Sequence, residues 1–372
     1  MLWDIFCKVI DNHGDIGVCW RLSVQLARRG EQVRLWVDDP ASAASGAVCA
    51  LTWMAPGGQP GVEVRSGSVA APAFVPGDLV IETFGCEPGE AVVAAIAARS
   101  RAQGRQPAWI NLEHLSAEPF VERSHGLPSP VPSGSGVGLV KYFFYPGFTP
   151  GTGGLLREQD LAQRQAAFDR PAWLSGLGIA PTHPATARLV SLFCYEPAAL
   201  SDLLDQFARG PQPTRLLVTA GRASAAVKAE IKSKNSLKPL WNGHGLLSIS
   251  YLPLLSQHDF DHLLWACDLN FVRGEDSLVR ALWAGRPFVW QIYPQHDDAH
   301  HAKLRALLDW LQAPPSLRQF HEAWNGIAPP LPAVEPGAWG GCVAAARERL
   351  LAQDDLAAQL QRFVKHIARE TS

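Results

Sequence analysis

Short apolar runs alternate with stretches of helical periodicity along most of this 372-residue chain. The apolar run 3–10 leads into a turn, a helical stretch follows over residues 18–29, and a second apolar run covers residues 33–37. Short apolar runs bounded by turns are typical of buried strands, and a helix that joins two of them makes a βαβ unit. The pattern therefore predicts an α/β fold with parallel sheets and right-handed crossovers.

Glycines and prolines interrupt the pattern over residues 147–184, and a second α/β series follows. We therefore predict two domains, 1–165 and 166–355, which is ordinary for this length. Residues 356–372 are predicted to be a C-terminal helix, for which packing back on the first domain is one option. Such sheets bind ligands at the carboxyl ends of their strands, so we expect the site in a cleft between the domains.

Residues 269–287 have the pattern of strand, tight glycine turn and helix. An apolar run leads into the turn, and Gly285 followed by Pro287 ends the helical stretch. Asp276 and Ser277 occupy the predicted N-cap positions. Free backbone N–H groups and the helix dipole at this point favour a phosphate. An ordinary capped helix gives the same pattern, and the local residues leave both interpretations open.

The first turn carries two carboxylates, Asp11 and Asp15, and two glycines, Gly14 and Gly17. The glycine spacing differs from the dinucleotide fingerprint G-x-G-x-x-G, so we do not predict NAD binding. Carboxylates at the end of a strand suit a general base or the binding of a cationic substrate. An Asx turn at Asp11 and a helix cap at Asp15 fit the same residues.

Three further residues follow predicted strands of the second domain. Phe193 and Tyr195 lie two apart and are predicted to share one face, where they would stack on a base or a sugar or pack in the core. Gln257 would read a pyrimidine edge or stand in a solvated loop. His296 and His300 have i, i+4 spacing, but a metal site lacks a third ligand, so we predict no metal.

Composition excludes several classes of protein. The net charge of −2 gives no electrostatic case for a nucleic-acid partner. Seven scattered cysteines without a CxxC pair are typical of buried thiols in a reducing compartment. The start of the chain lacks a basic region, and no apolar run reaches the length of a membrane span. We therefore expect a cytoplasmic protein that does not enter a membrane.

Four segments, 5–21, 191–196, 267–277 and 283–295, make the chain resemble the EarP family of protein-arginine rhamnosyltransferases, which modify translation elongation factor P (EF-P). The resemblance covers essentially the whole chain. It implies a GT-B architecture, in which two Rossmann-like domains face each other across a cleft. It also implies that L-rhamnose moves from dTDP-β-L-rhamnose to an arginine in the N-terminal domain of EF-P, with inversion. The implied enzyme uses no metal and no other cofactor.

The resemblance also implies roles for individual residues. Asp15 matches the base, Asp11 its partner and Glu275 a further essential acid. The first domain would receive the protein acceptor and the second would hold the nucleotide sugar. The candidate donor-binding residues are Phe193, Tyr195, Gln257, Arg273, Gly274, Glu275, Asp276, Ser277, Asn12, Gly14 and Gly17. The chain departs from the family pattern at His13 and at Thr219, which leaves contacts from those two loops open.

Two other functions share this architecture. A GT-B-type nucleotide-sugar epimerase would turn over the donor with no protein present, and a non-catalytic binding module would leave the donor intact. The pair Asp11 and Asp15 argues against the binding module, because a sensor has little use for clustered carboxylates.

Overall fold

The structure, a computed structural model, describes residues 1–8, 14–38, 57–66, 74–179, 187–238, 240–294 and 298–370. The chain forms two compact units. The first comprises Met1–Glu158 together with Leu350–Ser372, and the second comprises Gln159–Arg349. Each unit is built on its own sheet.

The first unit contains a mostly parallel sheet. Its strands are β1 (Leu2–Lys8), β2 (Gln32–Asp38), β3 (Val62–Ser66), β4 (Leu79–Thr83), β5 (Ala108–Leu112), β6 (Pro128–Pro130) and β7 (Val140–Phe144). Within the described residues these seven strands follow the order β3-β2-β1-β4-β5-β7-β6, and β6 runs antiparallel to β7. Its helices are α1 (Gly14–Arg28), α2 (Glu90–Gln103) and α3 (Phe120–Ser124).

Both faces of this sheet are buried. Ile5 points to the face that packs on α1, where it shares a core cluster with Leu22. The next residue, Phe6, points to the other face and clusters with Ile96 of α2. Successive side chains of a strand alternate between faces, and a sheet covered on both sides needs apolar residues at every position. That requirement explains why β1 is largely apolar. Its one buried charge, Asp4, is paired with Arg34 at 2.6 Å.

The second unit contains a fully parallel sheet. Its strands are β8 (Arg188–Leu192), β9 (Thr214–Val218), β10 (Leu247–Tyr251), β11 (Leu269–Arg273) and β12 (Phe288–Gln291). The five strands follow the order β10-β9-β8-β11-β12 in the described part of the chain. Its helices are α4 (Leu161–Ala166), α5 (Arg170–Gly176), α6 (Leu200–Arg209), α7 (Arg222–Leu237), α8 (Gln257–Ala266), α9 (Gly274–Ala284), α10 (Ala299–Leu311), α11 (Pro315–Trp324) and α12 (Pro336–Leu351).

The two sheets share one topology. In each, the chain runs outward from a first strand in one direction and then returns to pair on the other side of that strand. The strand order therefore reverses between β1 and β4 in the first unit and between β8 and β11 in the second. Ligands of open parallel sheets bind at the carboxyl ends of the strands at such a reversal. Each unit thus has one preferred position for a site.

The C-terminal helix, α13 (Leu356–Glu370), packs on the first unit. Leu356, Leu360 and Val364 are buried in the core cluster that contains β1 and α1. Arg29 at the end of α1 also donates to Asp355, with 2.6 Å between Nη2 and Oδ2. No helix in the described ranges is both long and apolar enough to cross a membrane.

The predicted α/β class with parallel sheets is confirmed, and two details differ. Helix α1 begins at Gly14 rather than at residue 18, and Asp15 lies in its first turn, where a carboxylate stabilises the positive end of the dipole. Strand β7 was not predicted. Its first three residues are only partly buried, so the sequence there lacks the continuous apolar run of the central strands.

Candidate active site

The reversal of strand order in the second unit brings two segments together. Phe193 follows β8 directly, and its backbone N–H donates to the carbonyl of Phe271 in β11 at 3.0 Å. Gly274 follows β11 and opens α9. Several residues that the sequence singled out therefore lie at one edge of one sheet, where nucleotides bind in such folds.

Helix α9 starts one turn earlier than the sequence predicted. Arg273 is its N-cap residue and Gly274, at φ 68°, is the first helical residue, so placing Asp276 and Ser277 at the N-cap was wrong. A positive φ is readily available to glycine, and it lets the chain turn into the helix immediately after the strand. Asp276 and Ser277 consequently lie within the first turn.

Ser277 closes this turn from inside the helix. Its hydroxyl accepts from the backbone N–H of Arg273 at 3.0 Å and donates to the carbonyl of Arg273. The side chain is buried, so the contact satisfies backbone groups that the N-cap side chain leaves unpaired. Ser277 thus holds the turn between β11 and α9 in shape.

Arg273 forms the centre of a cationic and aromatic cluster. Its guanidinium carbon lies 4.4 Å from the ring centroid of Phe193 and 4.6 Å from that of Tyr195, within the range of cation–π attraction. Nη1 donates to the carbonyl of Cys194 at 3.1 Å. The two aromatic side chains therefore both contact the same arginine.

A second arginine joins the cluster. Arg222, at the start of α7, lies 4.9 Å from the ring of Tyr195 and forms a bidentate ion pair with Glu196, with 2.8 Å between Nε and Oε1. The hydrogen bonds from Arg222 lower the pKa of the Glu196 carboxyl. Sequence reasoning missed Arg222. A signal was present, since Gly221 precedes it and a helix follows a strand there.

Cys194 lies in the same segment, and burial raises the pKa of its thiol to about 12. Only the thiolate form of cysteine is a strong nucleophile. The thiol is therefore neutral near pH 7, and the site has no cysteine nucleophile at this position.

Glu275 is held by a lysine from another helix. Nζ of Lys303, on α10, lies 2.6 Å from Oε1 of Glu275, and the two side chains are 20% and 25% exposed. The indole of Trp290 donates to the carbonyl of Gly274 at 2.8 Å. These contacts fix the first turn of α9 from the side of β12. Lys303 has no sequence signal of its own, since it lies in the polar part of a helix.

Gln257 lies at the carboxyl edge of the same sheet. It is the first residue of α8, half-buried, just after the N-cap Ser256, whose side chain accepts from the backbone N–H of Asp259 at 3.1 Å. The loop that precedes α8 leaves the end of β10, two strands from β8. The structure thus places Gln257 at the expected edge of the sheet.

The histidine-rich segment brings together three groups that can ligate a metal. Ligand atoms of Asp298, His300 and His301 lie within 4.8 Å of one another at the start of α10. His300 is buried, whereas Asp298 is exposed, with 3.9 Å from its Oδ1 to Nε2 of His301. His296 lies outside the described residues. The structure therefore supplies the third group that the sequence did not show, although three groups fall short of the four ligands of a structural zinc site.

In the first unit, the loop after β1 carries the predicted carboxylates. Asp11 and Asn12 lie outside the described residues, as does His13. Asp15 is half-buried in the first turn of α1, close enough to Cys7 at the end of β1 for its charge to contribute to raising the pKa of that thiol. Asp15 therefore lies at the carboxyl end of β1, beside the reversal of strand order.

The two glycines of this loop differ. Gly17 is buried within α1, whereas Gly14 is exposed and a Cβ built there would meet nothing within 4 Å. Packing therefore does not require a glycine at position 14. A bare backbone at a helix start admits close approach of a ligand.

Known proteins match this chain over most of its length. The family model for Elongation-Factor P (EF-P) rhamnosyltransferase EarP matches residues 3–365. A protein-arginine rhamnosyltransferase of Pseudomonas putida is 45% identical over 344 residues, which cover 87% of this chain and 86% of the relative. Another, from Pseudomonas aeruginosa, is 42% identical over 362 residues, covering 91% and 89%.

Two solved structures are similar to this chain over nearly its full length. A structure from work on EarP-mediated arginine glycosylation of translation elongation factor EF-P is similar with a TM-score of 0.61 and 30% identity, covering 98% of this chain and 99% of that one. Arabidopsis thaliana UGT89C1, complexed with UDP, has a TM-score of 0.52 at 12% identity and covers 99% of both chains. The predicted GT-B fold class is confirmed.

Proposed function

The chain belongs to the family of EF-P rhamnosyltransferases named EarP, and from that premise we propose that it transfers L-rhamnose from dTDP-β-L-rhamnose to an arginine side chain of EF-P. The acceptor arginine would lie in the N-terminal domain of EF-P. The transfer would invert the anomeric carbon and need no metal. Family membership supports the reaction class, and the residues of each unit support the details.

The observation that carries the donor assignment is the cluster around Arg273. A nucleoside diphosphate presents a planar base and at least two negative charges. At the strand reversal of the second unit, the half-buried Phe193 supplies aromatic surface, and Arg273 and Arg222 supply positive charge. The buried Tyr195 packs against both arginines. The first turn of α9 adds the positive end of a helix dipole. These features together fit a nucleotide sugar.

In the proposed reaction, a guanidine nitrogen of the acceptor attacks the anomeric carbon of rhamnose. The bond from that carbon to the diphosphate oxygen breaks, and dTDP leaves with the bonding electron pair. The attacking nitrogen loses one proton to the carboxylate of Asp15. A single displacement of this kind inverts the anomeric centre.

The acceptor poses the main chemical difficulty. A guanidinium is always protonated in water and is a weak nucleophile. Asp11 and Asp15 would clamp it with charge-assisted hydrogen bonds, so that one nitrogen points at the sugar. Proton loss to Asp15 concerted with attack avoids full prior deprotonation. Holding the reactants in line supplies roughly 7–11 kcal/mol of the barrier.

The departing diphosphate develops negative charge as the bond breaks. Arg273 and the start of α9 are fixed groups that stabilise this charge without a metal. Glu275, held by Lys303, would bind hydroxyls of the donor or support the acceptor. Gln257, Asp276 and Ser277 complete the donor site in the second unit. Asn12, Gly14 and Gly17 would contribute backbone from the first unit.

The test is incubation of the protein with dTDP-β-L-rhamnose and EF-P, followed by mass spectrometry of the EF-P peptides. We expect one added deoxyhexose on one arginine, an α-linkage by NMR, and unchanged transfer in EDTA. EF-P with that arginine replaced by lysine is the control for the acceptor. Donor turnover without EF-P would indicate an epimerase, and unmodified EF-P at saturating donor would reject the proposal.

A further inference from the structure

The first unit contains a cavity that none of the proposed active-site residues lines. Its volume is about 490 Å³, and α13 forms much of its wall. Phe144 at the end of β7 and His125, which follows α3, contribute the opposite side. Cavities that bind small molecules usually measure about 300–1,000 Å³, so this one is large enough to hold a metabolite.

Positive charge is concentrated on the helical wall. Arg362, Lys365 and Arg369 lie at i, i+3 and i+7 of α13 and so share one face, while Leu360 and Val364 on the other face are buried in the core. Every charged side chain among the described residues that line the cavity is basic. A concave surface lined by one sign of charge concentrates its field and attracts anions.

The basic side chains differ in their availability. Arg362 is paired with Asp354, and both side chains are exposed. Lys365 and Arg369 are exposed at the cavity as well and supply further charge. Arginine and lysine are the side chains that proteins use most to bind phosphate groups.

The floor of the cavity is aromatic. The rings of Phe144 and Phe363 lie 5.5 Å apart, and His125 packs edge-on against Phe144 at 4.6 Å. Nδ1 of His125 accepts from the backbone N–H of Tyr145 at 3.1 Å, and burial lowers the pKa of the imidazole. His125 is therefore a neutral ring in an aromatic cluster whose rings pack edge to face, with Phe144 buried and Phe363 half-buried.

We propose that this cavity binds a second anionic ligand of the nucleotide class, with its base against the ring of Phe363 and its phosphates against Lys365 and Arg369. The combination of ring surface and phosphate-binding cations in one concave site carries the assignment. A flat basic patch would suit an acidic protein surface, whereas a cavity with an aromatic floor encloses a small molecule. The site is independent of the proposed transfer reaction.

Titration calorimetry on the full chain with ADP, pyrophosphate and adenosine as separate probes tests the proposal. The double variant Lys365→Ala/Arg369→Ala removes two charges from a helix surface where alanine is well tolerated. Its matched control, Arg101→Ala/Arg105→Ala, removes two exposed arginines at the end of α2 in the same unit. Subtracting the control isolates the cavity from any ADP bound in the second unit.

We expect ADP to bind more tightly than pyrophosphate or adenosine. We also expect Lys365→Ala/Arg369→Ala to weaken ADP binding at least about tenfold, and the control to change it by less than about twofold. Equal weakening in both variants would show a general charge effect and overturn the proposal. Equal affinity for ADP and pyrophosphate would overturn the role of the aromatic floor. Binding of an acidic peptide without binding of ADP would overturn the proposal and indicate a protein partner instead.

Discussion

Asp15 is the residue on which the proposed chemistry depends most. We expect Asp15→Asn to lower the transfer rate by at least about 10²-fold, because an amide cannot accept the proton lost by the guanidinium. The dissociation constant of dTDP should change by less than about twofold, because the proposed partner of the Asp15 carboxylate is the acceptor guanidinium and not the donor. Single-turnover transfer and calorimetry with dTDP measure the two effects. Loss of dTDP binding would move Asp15 out of the role of base.

Arg273 allows a test of the donor site by a substitution that keeps the charge. Lysine lacks the planar guanidinium that contacts Phe193 and Tyr195 and the fixed donor that reaches the carbonyl of Cys194. We expect Arg273→Lys to weaken dTDP binding about tenfold, which corresponds to about 1.4 kcal/mol. Calorimetry measures the change. Unaltered affinity would show that charge alone matters here, or that dTDP binds elsewhere.

Lys303 is a positioning residue for Glu275. Replacing one partner of a half-buried ion pair at 2.6 Å leaves the other without its charge-assisted hydrogen bond. We expect Lys303→Met to lower kcat about tenfold with a smaller change in KM for the donor, and Lys303→Arg to restore part of the loss. Arg305→Met is a matched control on the same helix, since Arg305 lies 3.5 Å from Glu322. Equal losses in the two methionine variants would contradict the role.

At the scale of elements, α11 is attached to β12 through a histidine that must stay neutral. Nε2 of His321 accepts from the backbone N–H of Trp290 at 3.0 Å, and burial lowers the pKa of the ring to about 4. An unfolded histidine binds a proton near pH 6.5. The stability that His321 contributes is therefore present above pH 6.5 and is lost as the pH falls from 6.5 towards 4.

We expect this group to cost about 2–3 kcal/mol of unfolding free energy between pH 7 and pH 4.5. Urea unfolding at the two pH values measures the total loss, to which other groups contribute. His321→Gln keeps a hydrogen-bond acceptor but has no titration in this range, so its loss should be smaller by about that amount. If the two proteins lose the same unfolding free energy between pH 7 and pH 4.5, His321 does not titrate as the structure indicates.

The sequence predicted the elements better than it predicted their contacts. The apolar runs that became β8, β11 and β12 are almost entirely buried, so most of their residues are apolar. The start of α9 was misplaced because Asp276 and Ser277 are typical capping residues, whereas the conformation of Gly274 determines where the helix begins. A local sequence pattern does not show at which of two adjacent turns a helix begins.

Contacts between distant parts of the chain were beyond local patterns. Lys303 reaches Glu275 across 28 positions, and Arg222 reaches Glu196 across 26. Both pairs exist because helix starts and strand ends meet at one edge of a sheet. The sequence identified which residues precede and follow each strand, but only the strand order shows which of these segments are neighbours.

At the scale of the whole molecule, two units that share one topology would bind different substrates. The donor would bind the second unit, through the ends of β8 and β11, and the protein acceptor would bind the first. A ligand at 100 times its dissociation constant stabilises the state that binds it by about 2.7 kcal/mol. Backbone amides that exchange through opening of that site should then exchange about 100-fold more slowly.

We therefore expect dTDP to slow hydrogen exchange in peptides that cover residues 193–196 and 273–277 and to leave α2 of the first unit unchanged. EF-P alone should slow exchange in the first unit and leave the second unchanged. Mass spectrometry of peptides after timed exchange measures both, and thymidine without phosphates is the control, because it lacks the charges that Arg273 would bind. Protection of only the first unit by dTDP would reverse the assignment of donor and acceptor, and with it the roles of Asp15 and Arg273.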